Sequence, residues 1–197
     1  VALAFVLLGL FQMKRLTQRA IQVTPGQEPE LFSLFEQSRQ KLHLKKRILL
    51  YRSREISSPV SYGLLQPKVL IPEDLDIVFS HREVFYICLH ELAHHKRRDA
   101  LLNTLKCFFQ ILYWFHPAVW YGLKSLASDR EMACDSLVLD TIGTASSLEY
   151  GQTLLLYAGK RGASLFSSAS GIGGSHTQLR KRILQIVNYK ASCASQK

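Results

Sequence analysis

Two histidines and a glutamate stand in the pattern His90-Glu91-x-x-His94, in a stretch whose composition is typical of a helix. Residues four apart lie on one helical face, about 5–6 Å apart, so His90 and His94 can direct two ring nitrogens at one Zn²⁺ ion. Glu91 is poorly placed to bind the same ion, but its carboxylate can take a proton from a water molecule there. The pattern predicts one zinc ion per chain and a general base for hydrolysis in Glu91.

The same pattern also occurs by chance in helices, where the histidines only cap or pair. Three neighbouring features favour the metal site. The surrounding segment is apolar on one side, Asp99 follows at a distance suited to a carboxylate that orients a metal-binding histidine, and an acidic cluster lies further along the chain.

Glu131 is the candidate third ligand. It follows His94 by 37 residues (131 − 94), enough chain for a helix, a turn and a returning helix. Two histidines and one glutamate leave a fourth position open, which distinguishes a catalytic zinc from a structural one. Asp135 lies on the same helical face as Glu131 and, like Asp99, is predicted to orient a histidine ring. The alternative is an ordinary solvated acidic helix, and Cys134 is interpreted as a buried thiol because another thiolate would close the site.

Three motifs follow one another along the chain: His90-Glu91-Leu92-Ala93-His94-x-Lys96-Arg97-Arg98-Asp99, Trp114-Phe115-His116-Pro117-x-x-Trp120 and Asp129-Arg130-Glu131-Met132-Ala133-Cys134-Asp135. Together they resemble the BlaR/MecR family of membrane-bound antirepressor metallopeptidases. Residues 58–63, 66–72 and 179–183 extend the resemblance over nearly the whole chain. It implies a cytoplasmic zinc protease domain between transmembrane segments, triggered by an extracellular β-lactam sensor, self-cleaving and leading to loss of a transcriptional repressor.

The composition points to a membrane surface. Hydrophobic residues make up 47% of the 197 residues, and 25 Lys and Arg against 15 Asp and Glu give a net charge of +10. Basic residues crowd positions 13–15, just after an apolar run, and positions 41–54, as the positive-inside rule expects of cytoplasmic segments. No nucleic-acid motif is visible, so we expect no direct nucleic-acid partner. The four cysteines are far apart and form no C-x-x-C pair, so the sequence implies neither a disulfide framework nor a zinc ribbon.

The chain divides into three parts. Residues 1–11 form an uncharged run that we interpret as the cytoplasmic end of a transmembrane helix, with a buried amphipathic helix as the alternative. Together with the basic segment this part covers residues 1–20, the zinc peptidase domain covers 21–190, and 191–197 are predicted to link to a further transmembrane segment. The predicted location is the cell membrane, with the catalytic domain on the cytoplasmic side.

The periodicity predicts an α+β fold, a mostly helical zincin domain of gluzincin-like type with a small sheet. Helices are expected at 30–42, 85–98, 128–140, 146–160 and 175–188, and strands at 48–51, 60–64 and 68–71. An edge strand beside the metal helix of a zincin holds the substrate backbone by strand addition. We therefore predict peptide binding along 60–70, through Val60, Gly63 and Val69, against the alternative of a plain structural hairpin.

Residues 101–123 carry one charge, Lys106, among many aromatic and aliphatic side chains, and include Pro117. A charge and a proline argue against a membrane span, so we predict a helical hairpin that leans on the bilayer rather than a buried core helix. Membrane lipid is thus one expected partner. The others are a protein or peptide substrate, including the chain itself and a repressor, and a homodimer is left open.

The Gly- and Ser-rich run 162–174 is the predicted place of self-cleavage, because a flexible linker can be drawn into an extended-binding site more easily than a helix. By analogy with other zinc proteases the cut is expected before Leu165 or Phe166, that is, at Ser164–Phe166. An ordinary mobile loop is the alternative. Candidate groups to stabilise the oxyanion are Tyr150, His176 and Arg180.

Two other functions are kept open. One is a housekeeping membrane zinc protease that trims damaged or lipidated proteins. The other is a non-catalytic membrane adaptor stabilised by zinc, which the presence of a general base at Glu91 disfavours, because a purely structural site does not require that carboxylate.

Overall fold

The structure is a computed structural model that describes residues 18–63, 66–161 and 175–189. The apolar segment 1–11, the predicted self-cleavage residues Ser164, Leu165 and Phe166, and the segment 191–197 lie outside these ranges.

The described residues form an α+β fold that is mostly helical, as predicted. Four short strands and seven α-helices are found there, and a 3₁₀ turn, Thr144–Ser146, precedes the sixth helix. The elements in chain order are β1 Ile21–Gln22, α1 Pro29–Lys41, β2 Leu49–Ser53, β3 Val60–Tyr62, β4 Lys68–Pro72, α2 Leu75–Val78, α3 His81–Lys96, α4 Asp99–Leu112, α5 Pro117–Ile142, α6 Ser147–Arg161 and α7 Ser175–Val187.

The sheet has the strand order β1-β2-β4-β3, with β2 and β4 parallel and the two outer strands antiparallel to their neighbours. Because β4 lies between β2 and β3, Val69 is in register with Leu50 on one side and Ser61 on the other, and its side chain is fully buried. The predicted substrate contact at Val69 was therefore wrong, and β3 is the sheet edge beside the metal helix.

Helix α3 is the central element of the core. Its start is defined by a capping box, in which Ser80 caps the amide of Glu83 and the Glu83 carboxylate accepts from the Ser80 amide at 2.7 Å. The helix therefore begins at residue 81 rather than 85. Its apolar residues are buried between α1 and β3 on one side and α5 and α6 on the other, including Val84, Leu89 and Leu92.

Helix α5 is one continuous helix of 26 residues, whereas the sequence suggested a break between 123 and 128. Pro117 occupies its first turn, where a missing amide proton costs nothing, so the proline starts the helix instead of interrupting it. Glu131 consequently lies on the same continuous helix as Trp120, about 16 Å further along its axis at 1.5 Å per residue.

The hairpin of α4 and the first half of α5 presents a large apolar surface. Its exposed residues include Leu101, Leu105, Phe108, Leu112, Trp114, Phe115, Trp120 and Tyr121, and both Trp114 and Phe115 are 64% exposed. A buried core helix is thereby excluded for this segment. Among the described residues, no helix is both long and apolar enough to cross a bilayer.

Gly63 follows β3 with φ of +92°, and a Cβ there would lie 2.2 Å from the carbonyl oxygen of Gln66. Gly63→Ala should cost about 1–3 kcal/mol of unfolding free energy, because both the backbone angle and the space are wrong for a side chain. Thermal unfolding measures the loss. Gly26→Ala is the matched control, since nothing lies within 4 Å of a Cβ there, and equal melting temperatures for both variants would contradict the prediction.

Candidate active site

His90 and His94 lie one turn apart on α3, with ring centroids 4.9 Å apart. Glu131 of α5 faces both rings. Its Oε2 is 3.4 Å from His90 Nε2, and its Oε1 is 3.8 Å from His94 Nε2. The crossing of α3 and α5 thus brings together three residues that are separated by up to 41 positions (131 − 90) in the chain.

These three side chains fit a zinc ion. Donor atoms about 2.0–2.2 Å from a tetrahedral ion lie about 3.4 Å from one another, and the donor atoms of His90, His94 and Glu131 all lie within 4.8 Å of each other. Imidazole and carboxylate are ordinary zinc ligands. Glu91 is not part of this group.

The other ring nitrogen of His94 is held by Asp99. Nδ1 of His94 is 2.7 Å from Asp99 Oδ2, and Asp99 is almost fully buried at the start of α4. The sharp turn between α3 and α4 depends on Arg98, which adopts a left-handed conformation with φ of 59°. The buried Cys134 thiol contacts the same ring nitrogen, with Sγ 3.1 Å from His94 Nδ1. Burial of this thiol beside Asp99 raises its pKa far above the usual range.

The corresponding nitrogen of His90 is held by Tyr150. The Tyr150 hydroxyl donates to Asp135 Oδ1 at 2.6 Å and lies 2.9 Å from His90 Nδ1, while Asp135 Oδ1 itself is 3.3 Å from that nitrogen. A hydroxyl that donates to Asp135 can only accept from His90, so the proton of His90 is kept on Nδ1. When the ring is neutral, Nε2 is then the unprotonated nitrogen and faces Glu131, as a metal ligand requires.

The same geometry revises the candidates for the oxyanion group. Tyr150 is fully buried, with its hydroxyl engaged between Asp135 and His90, so its assignment to oxyanion stabilisation was wrong. Arg180 is exposed on α7. The side chain of His176 lies outside the described part of the chain.

Arg182, which sequence analysis did not single out, reaches the centre from α7. It forms two hydrogen bonds to Asp135, at 2.6 and 2.8 Å, and its Nη1 is 3.6 Å from Glu131 Oε2. On the other side of Glu131, Arg130 Nη2 is 3.5 Å from Oε1. The motif Leu179–Ile183 of α7 was part of the family resemblance, but nothing in its spacing indicates which of its three basic residues turns inward.

The pKa values follow from these contacts. Burial raises the pKa of the Glu131 carboxyl, but the hydrogen bond with His90 and the nearby charges of His94 and Arg182 outweigh it, and the pKa falls to about 2. Burial lowers the pKa of His90, but its hydrogen bonds with Asp135 and Glu131 raise it to about 9. In the metal-free protein at neutral pH, His90 is therefore protonated, and the carboxylates of Glu131 and Asp135 are both ionised.

Glu91 has a partner of its own in the edge strand. The Ser61 hydroxyl of β3 lies 2.7 Å from Glu91 Oε2 and 3.1 Å from the Glu91 carbonyl oxygen. Val60 is partly exposed on the same strand, whereas Gly63 is required by the turn that follows it. The structure thus joins Glu91 to the strand predicted to bind peptide, through a serine that sequence analysis had not identified.

Comparison with known proteins identifies the family of this chain. The sequence matches the family described as BlaR1 peptidase M56 over residues 1–186. The chain belongs to the M56 peptidase family. The resemblance inferred from the three motifs is thereby confirmed.

Among curated M56 relatives, the chain is 35% identical to Regulatory protein BlaR1 of Bacillus licheniformis over 164 residues, which are 83% of this chain and 27% of that protein. It is 32% identical to Methicillin resistance mecR1 protein of Staphylococcus aureus over 111 residues, or 56% of this chain and 19% of the relative. The chain thus spans about a quarter of these proteins or less.

Zinc binding at this centre should release a proton at pH 7. A zinc-bound histidine must be neutral at the binding nitrogen, whereas His90 carries an extra proton below its pKa of about 9 in the metal-free protein. Zinc affinity should accordingly fall as the pH is lowered from 9. Calorimetric zinc titrations in buffers of different ionisation enthalpy measure the number of protons released. We expect roughly one proton for each zinc ion bound. A binding enthalpy that does not depend on the buffer would contradict the raised pKa.

Proposed function

We propose that this M56 chain is a zinc-dependent endopeptidase, with the metal held by His90, His94 and Glu131 and with Glu91 as its general base. Peptidases of this family are generally metallopeptidases. Of the two groups of possible metal donors among the described residues, His90, His94 and Glu131 would leave a fourth position open, whereas the other group, His94, Asp99 and Cys134, depends on a thiolate. Asp99 and Asp135 serve as the carboxylates that orient the two histidines, Asp135 partly through Tyr150.

The observation that carries the proposal is the position of Glu91. Its carboxylate is held by Ser61, adjacent to the metal-binding face of α3 but outside the donor group. A site that used zinc only for stability would need the three donors and their supporting carboxylates. It would have no use for a fourth carboxylate anchored to the edge strand, which speaks against the adaptor function.

When bound, zinc supplies a Lewis acid that polarises the scissile carbonyl and lowers the pKa of a water molecule. Glu91 would be the group that takes the proton from the attacking water and returns it to the leaving amine. Before substrate binds, the hydrogen bond from Ser61 restricts the position of the Glu91 carboxylate. Strand β3 binds the peptide backbone by strand addition, so that the scissile bond passes beside Glu91.

The names of the relatives suggest the biological setting. One is called a regulatory protein and the other a methicillin resistance protein, so we propose that the chain acts in signal transduction in β-lactam resistance, with a protein substrate. Cleavage of its own 162–174 segment and loss of a repressor are the proposed outputs. A housekeeping protease would share the centre but would not depend on an inducing ligand.

The exposed apolar surface of the α4–α5 hairpin is proposed to lie on the cytoplasmic face of the membrane. Basic residues adjoin it at the end of α3, where Lys96, Arg97 and Arg98 are exposed immediately before α4 begins. Apolar burial and attraction to anionic lipid then act on the same face.

Substitution of two glutamates should separate metal binding from hydrolysis. Glu131→Gln is expected to lower zinc affinity, because it removes a charged ligand, whereas Glu91→Gln should keep zinc and lose about 10²–10⁴-fold in peptide hydrolysis. Metal analysis measures the zinc that each variant retains. Mass spectrometry of aged protein measures self-cleavage, through fragments that start at Leu165 or Phe166. Equal zinc loss in the two variants would overturn the role assignment, and equal fragments in wild type and Glu91→Gln would exclude self-cleavage.

Binding to anionic vesicles should depend on the hairpin. Replacing Trp114 and Phe115 by Ser removes two side chains that are each 64% exposed, so flotation with phosphatidylserine vesicles should fall, and high salt should weaken it further. Ile77→Ser is the matched control, since Ile77 is 83% exposed away from the hairpin on α2. Binding that survives both changes would refute the proposed surface.

A further inference from the structure

We infer that Arg182 is a positioning residue of the metal centre: it fixes Asp135, and through Asp135 and Tyr150 it fixes the ring of His90, while also orienting Glu131. The inference rests on the proposed zinc site. It gives helix α7 an indirect part in zinc binding.

Arg182 and Asp135 form a buried ion pair with two hydrogen bonds. Nε and Nη2 of the guanidinium each donate to a different carboxylate oxygen, and the two residues are 2% and 0% exposed. Two parallel hydrogen bonds set the plane and rotation of the carboxylate as well as its position. Asp135 therefore has one orientation available to it.

That orientation matters because Asp135 Oδ1 is shared. The same oxygen accepts from Arg182 Nη2 and from the Tyr150 hydroxyl, and it lies 3.3 Å from His90 Nδ1. A rotation of the carboxylate would move the acceptor away from Tyr150 and His90 together. The proton on His90 Nδ1, which leaves Nε2 as the nitrogen available to a metal, would then lose its acceptor.

Arg182 also acts on the third ligand without blocking it. Its Nη1 is 3.6 Å from Glu131 Oε2, and Arg130 is 3.5 Å from Oε1, both longer than ordinary hydrogen bonds. The two cations favour an ionised, centred Glu131 carboxylate while leaving its lone pairs available to a metal. One guanidinium thus contacts or supports two of the three proposed ligands.

Helix α7 has other anchors, so the role of Arg182 can be tested in folded protein. Gln185 donates to the carbonyl oxygen of Met132 at 3.1 Å and to the Ser136 hydroxyl at 2.7 Å, and Ile186 is buried against Gly151 of α6. These contacts hold α7 on α5 and α6 without the arginine. We expect the loss of Arg182 to affect the centre more than the docking of the helix.

The test compares Arg182→Gln, Arg182→Lys and the control Lys181→Gln, which removes an exposed charge from the neighbouring position of α7. Zinc affinity is measured by competition with a chelator, and unfolding of the metal-free protein is measured separately. We expect Arg182→Gln to lose about 10–100-fold in zinc affinity. Arg182→Lys should recover only part, because an ammonium group cannot make the two parallel hydrogen bonds, and Lys181→Gln should match wild type.

A purely structural role would lower the stability of the metal-free variant and leave its zinc affinity unchanged, which would overturn the inference. If Arg182→Gln does not fold, the pair Asp135→Asn with Arg182→Gln removes both buried charges together. That folded double variant should still bind zinc more weakly than wild type, and wild-type affinity would again overturn the inference. A wild-type protein that bound no zinc would instead refute the proposed metal site on which it depends.

Discussion

Three carboxylates that are buried or nearly so, Asp99, Glu131 and Asp135, constrain how the helices of this fold can pack. Each would lose several kcal/mol of hydration if left unpaired in the interior, and each is compensated by a different combination of imidazole and guanidinium groups. The compensating groups arrive from different helices, α3 supplying the imidazoles and α5 and α7 the guanidiniums. The packing of these helices and the assembly of the proposed metal centre therefore depend on the same contacts.

Helix α5 links that centre to the exposed apolar surface. Its first turns carry Trp120 and Tyr121 on the outside of the hairpin, and its middle carries Glu131 into the interior. Because the helix is uninterrupted, the exposed hairpin and Glu131 belong to one continuous element.

Local spacing was enough to predict the residues that meet at the centre. His90 and His94, like Glu131 and Asp135, are four residues apart, and helical geometry alone puts each pair on one face. The burial of individual side chains was harder to predict from the sequence, and Val69 shows why. A short apolar strand has the same composition at the edge of a sheet as in its middle, and only the strand order, which depends on the parallel pairing of β2 with β4, decides between them.

The supporting residues were beyond sequence reasoning for a related reason. Ser61, Tyr150 and Arg182 contact residues 30, 60 and 47 positions away. Each belongs to a type that is common on protein surfaces, so nothing in composition separates them from exposed neighbours such as Arg180 and Lys181. Their direction is set by how α3, α5, α6 and α7 pack against one another.

Strand β3 connects the core of the sheet to Glu91, the proposed base. Ser61 is in register with Val69 of the buried strand β4, so its backbone is fixed by the core, and its hydroxyl reaches the Glu91 carboxylate. A peptide added to the free side of β3 would be aligned to the same backbone by main-chain hydrogen bonds. The distance from the scissile bond to the base would then be determined within a three-residue strand, independently of the side chains of the substrate.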